Sequence, residues 1–534
     1  MMKLPMMNTM KMRKSIFTKF IFRLLIISVI ASTSLTGCGR DDDALFLSPQ
    51  ADDNTVKRLE GSGINLTSSL ENSSEKIIFQ FANKKSILPM NAIQNTTLIA
   101  VTSFKSKLDN INVKNPSEIF SKYKVVTSDK IGAKLIEAGI QSSKFIVSND
   151  IPTHLKQNLQ SIALVNITTI DEFMRQVPVN DAYFTENNYP LFMKLVLSVD
   201  KLSSFHRSKL PDTLSFSEKD KKQLLTFTQT GVTALSRAAI TQSRKEKDVL
   251  FLSRKISKFL SSSDLTHTSN EVSFVPKCAY KKGSMSFCTP PEYFEVLKVS
   301  GFDIIELTGN HNNDYGRKYN KQTIELYKKN SIQIFGGGTN LEEARKILYI
   351  NQKKSNIALL GYNFANVHFK WPSGLASQKK AGANPYSKQQ MISDIKTAKK
   401  KNSFVIVDFQ FAECYSYNPG PNKECYDPVR EPNQRKTFRA AIDAGADMVV
   451  GTQAHHPQII EVYKNKLIFY GLGNLYFDQR KWEGTRRGMI LTHLFYKGEY
   501  KNTIVRPTYY KANLQVFLAQ GKLRSTLLDI YYQR

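Results

Sequence analysis

The tripeptide Gly309-Asn310-His311, which follows the mostly apolar run 302–307, constrains this chain more than any other feature. The run reads as a buried strand. An amide oxygen and an imidazole at a strand's mouth can hold a metal and protonate a leaving group. A second His-bearing loop, Gly451-Thr452-Gln453-Ala454-His455, follows another strand-like run, 447–450. Two such loops imply one polar edge of an α/β sheet, the edge where ligands bind in such folds.

The N-terminus reads as an export segment. Lys3, Lys11, Arg13, Lys14, Lys19 and Arg23 precede an apolar stretch, 24–30, too short to span a bilayer comfortably. Leu35-Thr36-Gly37-Cys38 then resembles a bacterial lipobox, which implies cleavage before Cys38 and its lipidation; an ordinary signal peptide or a short anchor is the alternative. Acyl chains on Cys38 give stable membrane anchoring. Gly39 after that cysteine favours the outer membrane where a cell has two. Export is consistent with the other four cysteines, which fall into two local pairs, Cys278 with Cys288 and Cys414 with Cys425. Four cysteines allow three connectivities, and free thiols are the bland alternative. Local pairing is favoured in an oxidising compartment.

The formal charge of +29 creates a long-range attraction for polyanions. Outside the cytoplasm its partners are anionic surface polymers or lipid headgroups. General surface basicity explains the charge equally well. No aromatic-interleaved basic motif points to nucleic acid.

Residues 1–37 are read as the signal peptide and 38–73 as a polar tether. Residues 74–217 are read as a smaller α/β domain and 218–534 as the main domain. In the smaller domain, runs at 97–101, 144–147 and 160–165 look like strands, and Tyr189-Pro190-Leu191 follows. The stretch 161–191 bears a short resemblance to periplasmic binding proteins; a spacer role is the alternative. In the main domain, Thr289 with Glu292 reads as an N-cap and Asn340 with Glu343 as another. Residues 388–401 carry Met391, Ile392, Ile395 and Ala398 at helical spacing, and 404–407 is a strand. Pro432 opens a helix that Gly445 closes, and 462–470 reads as a hairpin. Strand–helix alternation followed by hairpins predicts an α/β sheet sandwich flanked by helices.

From about Leu225 onward the chain resembles the CapA family of capsule synthesis proteins, linked to poly-γ-glutamate. The resemblance rests on residues 230–237, Asn270-Glu271, 301–316 with Asn310-His311 and Asp314-Tyr315-Gly316, and Gly336-Gly337-Gly338-Thr339-Asn340. Asp443-Ala444-Gly445-Ala446-Asp447, Gly471-Leu472-Gly473-Asn474 and Phe477-Asp478 complete it. It implies a metallophosphatase-like four-layer αββα sandwich, tethering outside the membrane, and capsule synthase or export proteins as partners. Three positions depart from the family: Val232 replaces its first metal-binding Asp, and Gln410 and Gln453 replace histidines. Valine has no donor atom, and amides are weak ligands.

The resemblance leaves Glu271, Asn310 and His455 as candidate ligands for a divalent metal (Mn, Mg or Zn), with His311 as the catalytic acid. Arg237, Asn474 and Asp478 are candidate substrate-binding residues. Each has a structural alternative: local turn bonding for Asn310 and His311, an ion pair with Arg237 for Glu271, a tight turn for 336–338. Glu413 and Tyr415 lie in the Gln410 loop. The other histidines, His154, His206, His267, His368 and His493, show no spacing logic. Two functions compete, a metal-assisted hydrolase and a degenerate cleft that binds a polyanion. A solute-binding lipoprotein is a third.

Overall fold

Period-two alternation and helical spacing govern the described part of the chain. In the computed structural model this comprises residues 45–47, 57, 59–60, 66–67, 76–81, 92–197, 216–217, 222–279, 285–364, 374–412 and 432–534. Cys38, the tether's first residues, Glu413, Cys414, Tyr415, Cys425, His206 and His368 lie outside it. The chain forms two compact units, one of residues 1–77 and 198–211, the other of 78–197 and 212–534. In the first, strand Leu45–Leu47 runs parallel to Leu66–Thr67.

The second unit is mixed α/β with several sheets. One sheet has five strands in the order Phe145–Val147, Lys124–Thr127, Ser161–Val165, Ile99–Ser103, Met174–Gln176. Residues 189–191 are not a strand. They lead into Phe192–Leu197, and the Tyr189 hydroxyl donates to the Leu98 carbonyl at 2.9 Å. This part packs onto the rest of its unit through polar contacts. Gln176 Nε2 donates to Asn502 Oδ1 at 2.9 Å, and buried Arg534 bonds Asp109.

Two larger sheets carry the site. The first contains β1 (Leu224–Thr233), β2 (Leu265–Asn270), β3 (Ile304–Glu306) and β4 (Gln333–Phe335), all parallel. The second contains β5 (Leu348–Gln352), β6 (Ser355–Asn363), β7 (Phe404–Gln410), β8 (Met448–Gly451), β9 (Ile460–Tyr463) and β10 (Lys466–Phe469). Strands β6, β7, β8 and β10 are parallel there. The first sheet continues with β11 (Asn474–Tyr476), which pairs with β1, and then β12 (Arg487–Tyr496), β13 (Glu499–Tyr510) and β14 (Val516–Leu518).

Alternate residues on the strands build the core. Phe227, Ile304, Phe335, Ile357, Ile406 and Met448, from both sheets, share one apolar cluster. A second cluster joins Ile305 of β3 to α1 (Arg237–Lys245), α2 (Phe294–Val299) and α3 (Arg317–Lys329). A third joins Val405, Val407 and Phe409 of β7 to α4 (Lys388–Lys400) and α5 (Pro432–Asp443). In α4, Met391, Ile395 and Ala398 are buried, as their spacing predicts.

Two local expectations need adjustment. Thr289 does not cap α2: its backbone bridges to Phe274, and a 3-10 turn, Pro291–Tyr293, leads into the helix. The glycines at 336–338 form no open cradle, because a Cβ on Gly337 would lie 2.5 Å from the Leu307 carbonyl oxygen. Asn340 does cap its short helix, accepting from the Glu343 amide at 2.9 Å. The hairpin turns on Lys464 and Asn465, both left-handed, as a type I′ turn requires.

Candidate functional site

The carboxyl ends of β2, β3, β7 and β8 deliver the expected residues to one buried polar cluster. Glu271 follows β2, Asn310 and His311 follow β3, Gln410 ends β7, and Gln453 and His455 follow β8. Gly309 is required by this convergence. A Cβ there would stand 2.6 Å from the Glu271 Cα, so only glycine lets the two loops touch.

Gln410 sits at the centre. Its amide nitrogen donates to Asn310 Oδ1 at 3.0 Å, to Glu271 Oε1 at 3.4 Å and to Gln453 Oε1. Its oxygen accepts from Asn363. The opposite amide orientation would point an oxygen at three oxygens, so the network fixes the assignment.

His311 and His455 flank this network. His311 Nδ1 lies 2.7 Å from Asp314 Oδ2, and its ring rests on Phe287 with centroids 4.2 Å apart. Facing a carboxylate, Nδ1 carries the proton, and Nε2 is left as the basic atom. His455 Nδ1 donates to Asn474 Oδ1 at 2.9 Å. Burial pushes the His455 pKa down to about 3, with His311 and Arg237 adding to the effect while the Asn474 bond opposes it. His455 is therefore a neutral imidazole at physiological pH. Arg237 does not pair with Glu271. It binds Asp478, and its guanidinium lies 4.2 Å from the Phe287 centroid and 5.1 Å from that of Phe477. Both histidines are buried, His311 at 6% and His455 at 2% exposed, with Phe287 against the first and Phe477 against the second. Arg237, Gln453 and His455 all hold left-handed backbone, with φ of 45°, 56° and 54°. Such conformations cost on the order of 1–2 kcal/mol per residue and concentrate at functional sites.

The rim fits a divalent metal poorly. One carboxylate, Glu271, stands among amides, and the Gln410 amino group already occupies the space between the donor oxygens. Val232 lies in an apolar cluster with Ala234, Val272, Phe287 and Phe477. An amide N–H in that position does for the oxygens what a cation would do.

A family described as "Bacterial capsule synthesis protein PGA_cap" matches residues 226–479. The C-terminal domain belongs to the CapA family. "Capsule biosynthesis protein CapA" of Bacillus anthracis is 31% identical over 251 residues, which are 46% of this chain and 57% of that protein. "PGA biosynthesis protein CapA" of Bacillus subtilis (strain 168) is 33% identical over 209 residues, 38% of this chain and 50% of that protein. The chain thus spans about half the length of the CapA relatives it matches. A solved ABC-type phosphate transport receptor from Vibrio cholerae aligns over 31% of this chain and 91% of its own at 10% identity, with a TM-score of 0.22, which assigns no fold.

The CapA domain also holds groups that motif reading passed over. Asp314 was read only as part of the resemblance, and Phe287 lies in a segment without a motif. Beneath the rim, His267, Glu306 and Asp408 form a second polar layer between the sheets. The signal for it was present: Asp408 shares a strand face with Gln410, and His267 and Glu306 stand four residues before Glu271 and Asn310. The disulfide Cys278–Cys288 is formed.

Proposed function

We propose that this protein serves capsule biosynthesis outside the cytoplasm, anchored through a lipidated Cys38. We read the C-terminal domain as a metallophosphatase-like four-layer αββα sandwich, supported by the three apolar clusters. Its polar cluster acts on an anionic polymer of the poly-γ-glutamate kind, alongside capsule synthase or export proteins. The names of the Bacillus relatives and the charge of +29 support this reading.

The observation that carries the chemistry is the His311–Asp314 pair beside neutral His455. Asp314 orients the ring and stabilises its protonated form. His311 Nε2 takes the proton of an attacking water and returns it to the leaving nitrogen of the polymer amide. Replacing His311 by Ala in the full chain is expected to lower the release of new amino ends from poly-γ-glutamate by roughly 10²–10⁴-fold. The variant should still fold, unfolding in urea as one cooperative transition even though the lost Asp314 bond and Phe287 contact lower its midpoint. Undiminished release by the variant overturns the assignment. For the anchor, the wild-type chain should incorporate a labelled acyl chain, and Cys38→Ala should not. An unlabelled wild type removes the lipid from the reading.

A further inference from the structure

Between the two sheets, one layer below the rim, lies a group of ionisable side chains that the proposed chemistry does not use. His267 stands on β2, Glu306 on β3 and Asp408 on β7, all 0% exposed. They share strand faces with Leu265, Ile304 and Ile406 of the apolar core, so the interior turns polar as it approaches the rim.

From this geometry we infer that His267, Glu306 and Asp408 bind one divalent transition-metal cation, with zinc the best match. His267 Nε2 lies 3.6 Å from Glu306 Oε2 and 3.9 Å from Asp408 Oδ2. Those separations are too long for hydrogen bonds. They suit donors on a common ion: two ligands each about 2.1 Å from a tetrahedral zinc are about 3.4 Å apart. One atom from each residue lies within 4.8 Å of the others. An imidazole with two carboxylates is a set that zinc accepts.

The surroundings point the same way. Both His267 ring nitrogens, Glu306 Oε2 and Asp408 Oδ1 have no hydrogen-bond partner although fully buried. Among the described residues, the ion pairs of the two carboxylates are with His267 alone. Both carboxylates are also held in place from outside the group. Thr308 and Thr452 donate to Glu306 Oε1, and Gln229 Nε2 donates to Asp408 Oδ2 at 3.1 Å. Gln229 is itself fixed by His493, whose Nε2 lies 2.9 Å from its amide oxygen. Outer groups that orient first ligands are a regular feature of metal sites. Burial, and then the neighbouring Glu306 charge, drive the Asp408 pKa far up, which is the cost a cation would remove. The ion would tie the first sheet to the second directly under Glu271, Asn310 and Gln410. It stands independently of what the rim does.

The test uses the full chain, produced in zinc-supplemented medium and dialysed against metal-free buffer. Elemental analysis is expected to find about one zinc per chain. Protein produced with cobalt should show the visible absorption of a tetrahedral Co²⁺ site. Asp408→Asn and Glu306→Gln should each lower bound metal at least tenfold and lower the unfolding midpoint. His267→Ala should abolish the cobalt spectrum. Should His267→Ala fail to fold, the wild-type stoichiometry and the Asp408→Asn midpoint still decide the matter. Without a cation, Asp408→Asn replaces a buried carboxyl, which costs free energy whether charged or forced to take up a proton, by a neutral amide and should stabilise the protein. A metal-free wild type together with a stabilised Asp408→Asn variant overturns the site.

Discussion

At the scale of single residues, Gln410 separates this rim from a metal centre. Its amino group meets three acceptor oxygens, from Glu271, Asn310 and Gln453. A glutamine can do this because its nitrogen carries two hydrogens, one of them shared between two of the acceptors, and its oxygen is engaged by Asn363. Gln410→Glu keeps the shape and reverses the electrostatics, setting a second carboxylate against Glu271 in a buried position. Unfolding free energy should fall by about 3 kcal/mol at pH 7, the scale of an uncompensated buried charge. Lowering the pH should shrink the loss as the pair takes up a proton. Added Mn²⁺ should restore the variant and leave the wild type unchanged. Urea titrations with and without metal read all of this, and a variant as stable as the wild type would discard the idea that the amide replaces a cation.

At the scale of elements, the sequence exposes whatever depends on local pattern. The hairpin over 460–469 is legible because Lys464-Asn465 interrupts two alternating runs, and the turn then requires left-handed residues. Strand β3 is legible because Gly301, at φ +70°, ends one element before the next begins. Thr289 misleads for a physical reason: its backbone is engaged with Phe274 across a β-bridge, and the chain turns once as a 3-10 helix before α2 forms. Strand β1 shows the other limit. Its pairing with β2 slips between Gln229 and Val232, and Gly231 packs so tightly that a Cβ there would meet the Gly473 carbonyl oxygen at 2.0 Å. The slip carries Val232 into the apolar cluster with Phe287 and Phe477. No periodicity in 224–233 announces an irregularity that is set by a loop more than two hundred residues away.

At the scale of the whole molecule, convergence of the rim was legible because parallel strands deliver their carboxyl ends to one edge. The polar layer beneath it was legible only in part: the strand positions of His267, Glu306 and Asp408 were readable, but their meeting depends on β7 facing β2 and β3 from the other sheet. That buried interior also sets the response to acid. Burial lowers the pKa of His455 to about 3, of His456 to about 4 and of His493 to about 3, against an ordinary value of 6.5. Below pH 6.5 the unfolded chain takes up three protons that the folded protein refuses. Stability is therefore complete above 6.5 and is lost as the pH falls toward those depressed values, by about 1.4 kcal/mol per unit for each histidine. Asp408 works in the opposite sense. Burial raises its pKa, so its contribution opposes that of the histidines. The part-buried carboxylates shift both ways, Asp303 and Asp394 up, Asp109 and Glu461 down. The three histidines alone give a slope of about 4 kcal/mol per pH unit well below 6.5, which Asp408 reduces, and the loss on going to pH 5 is a large share of ordinary domain stability. A cation on Asp408 would keep it ionised and steepen the slope. Urea unfolding followed by circular dichroism at pH 7, 6 and 5 measures the slope directly, and a flat profile across that range would mean these histidines are not held neutral by burial.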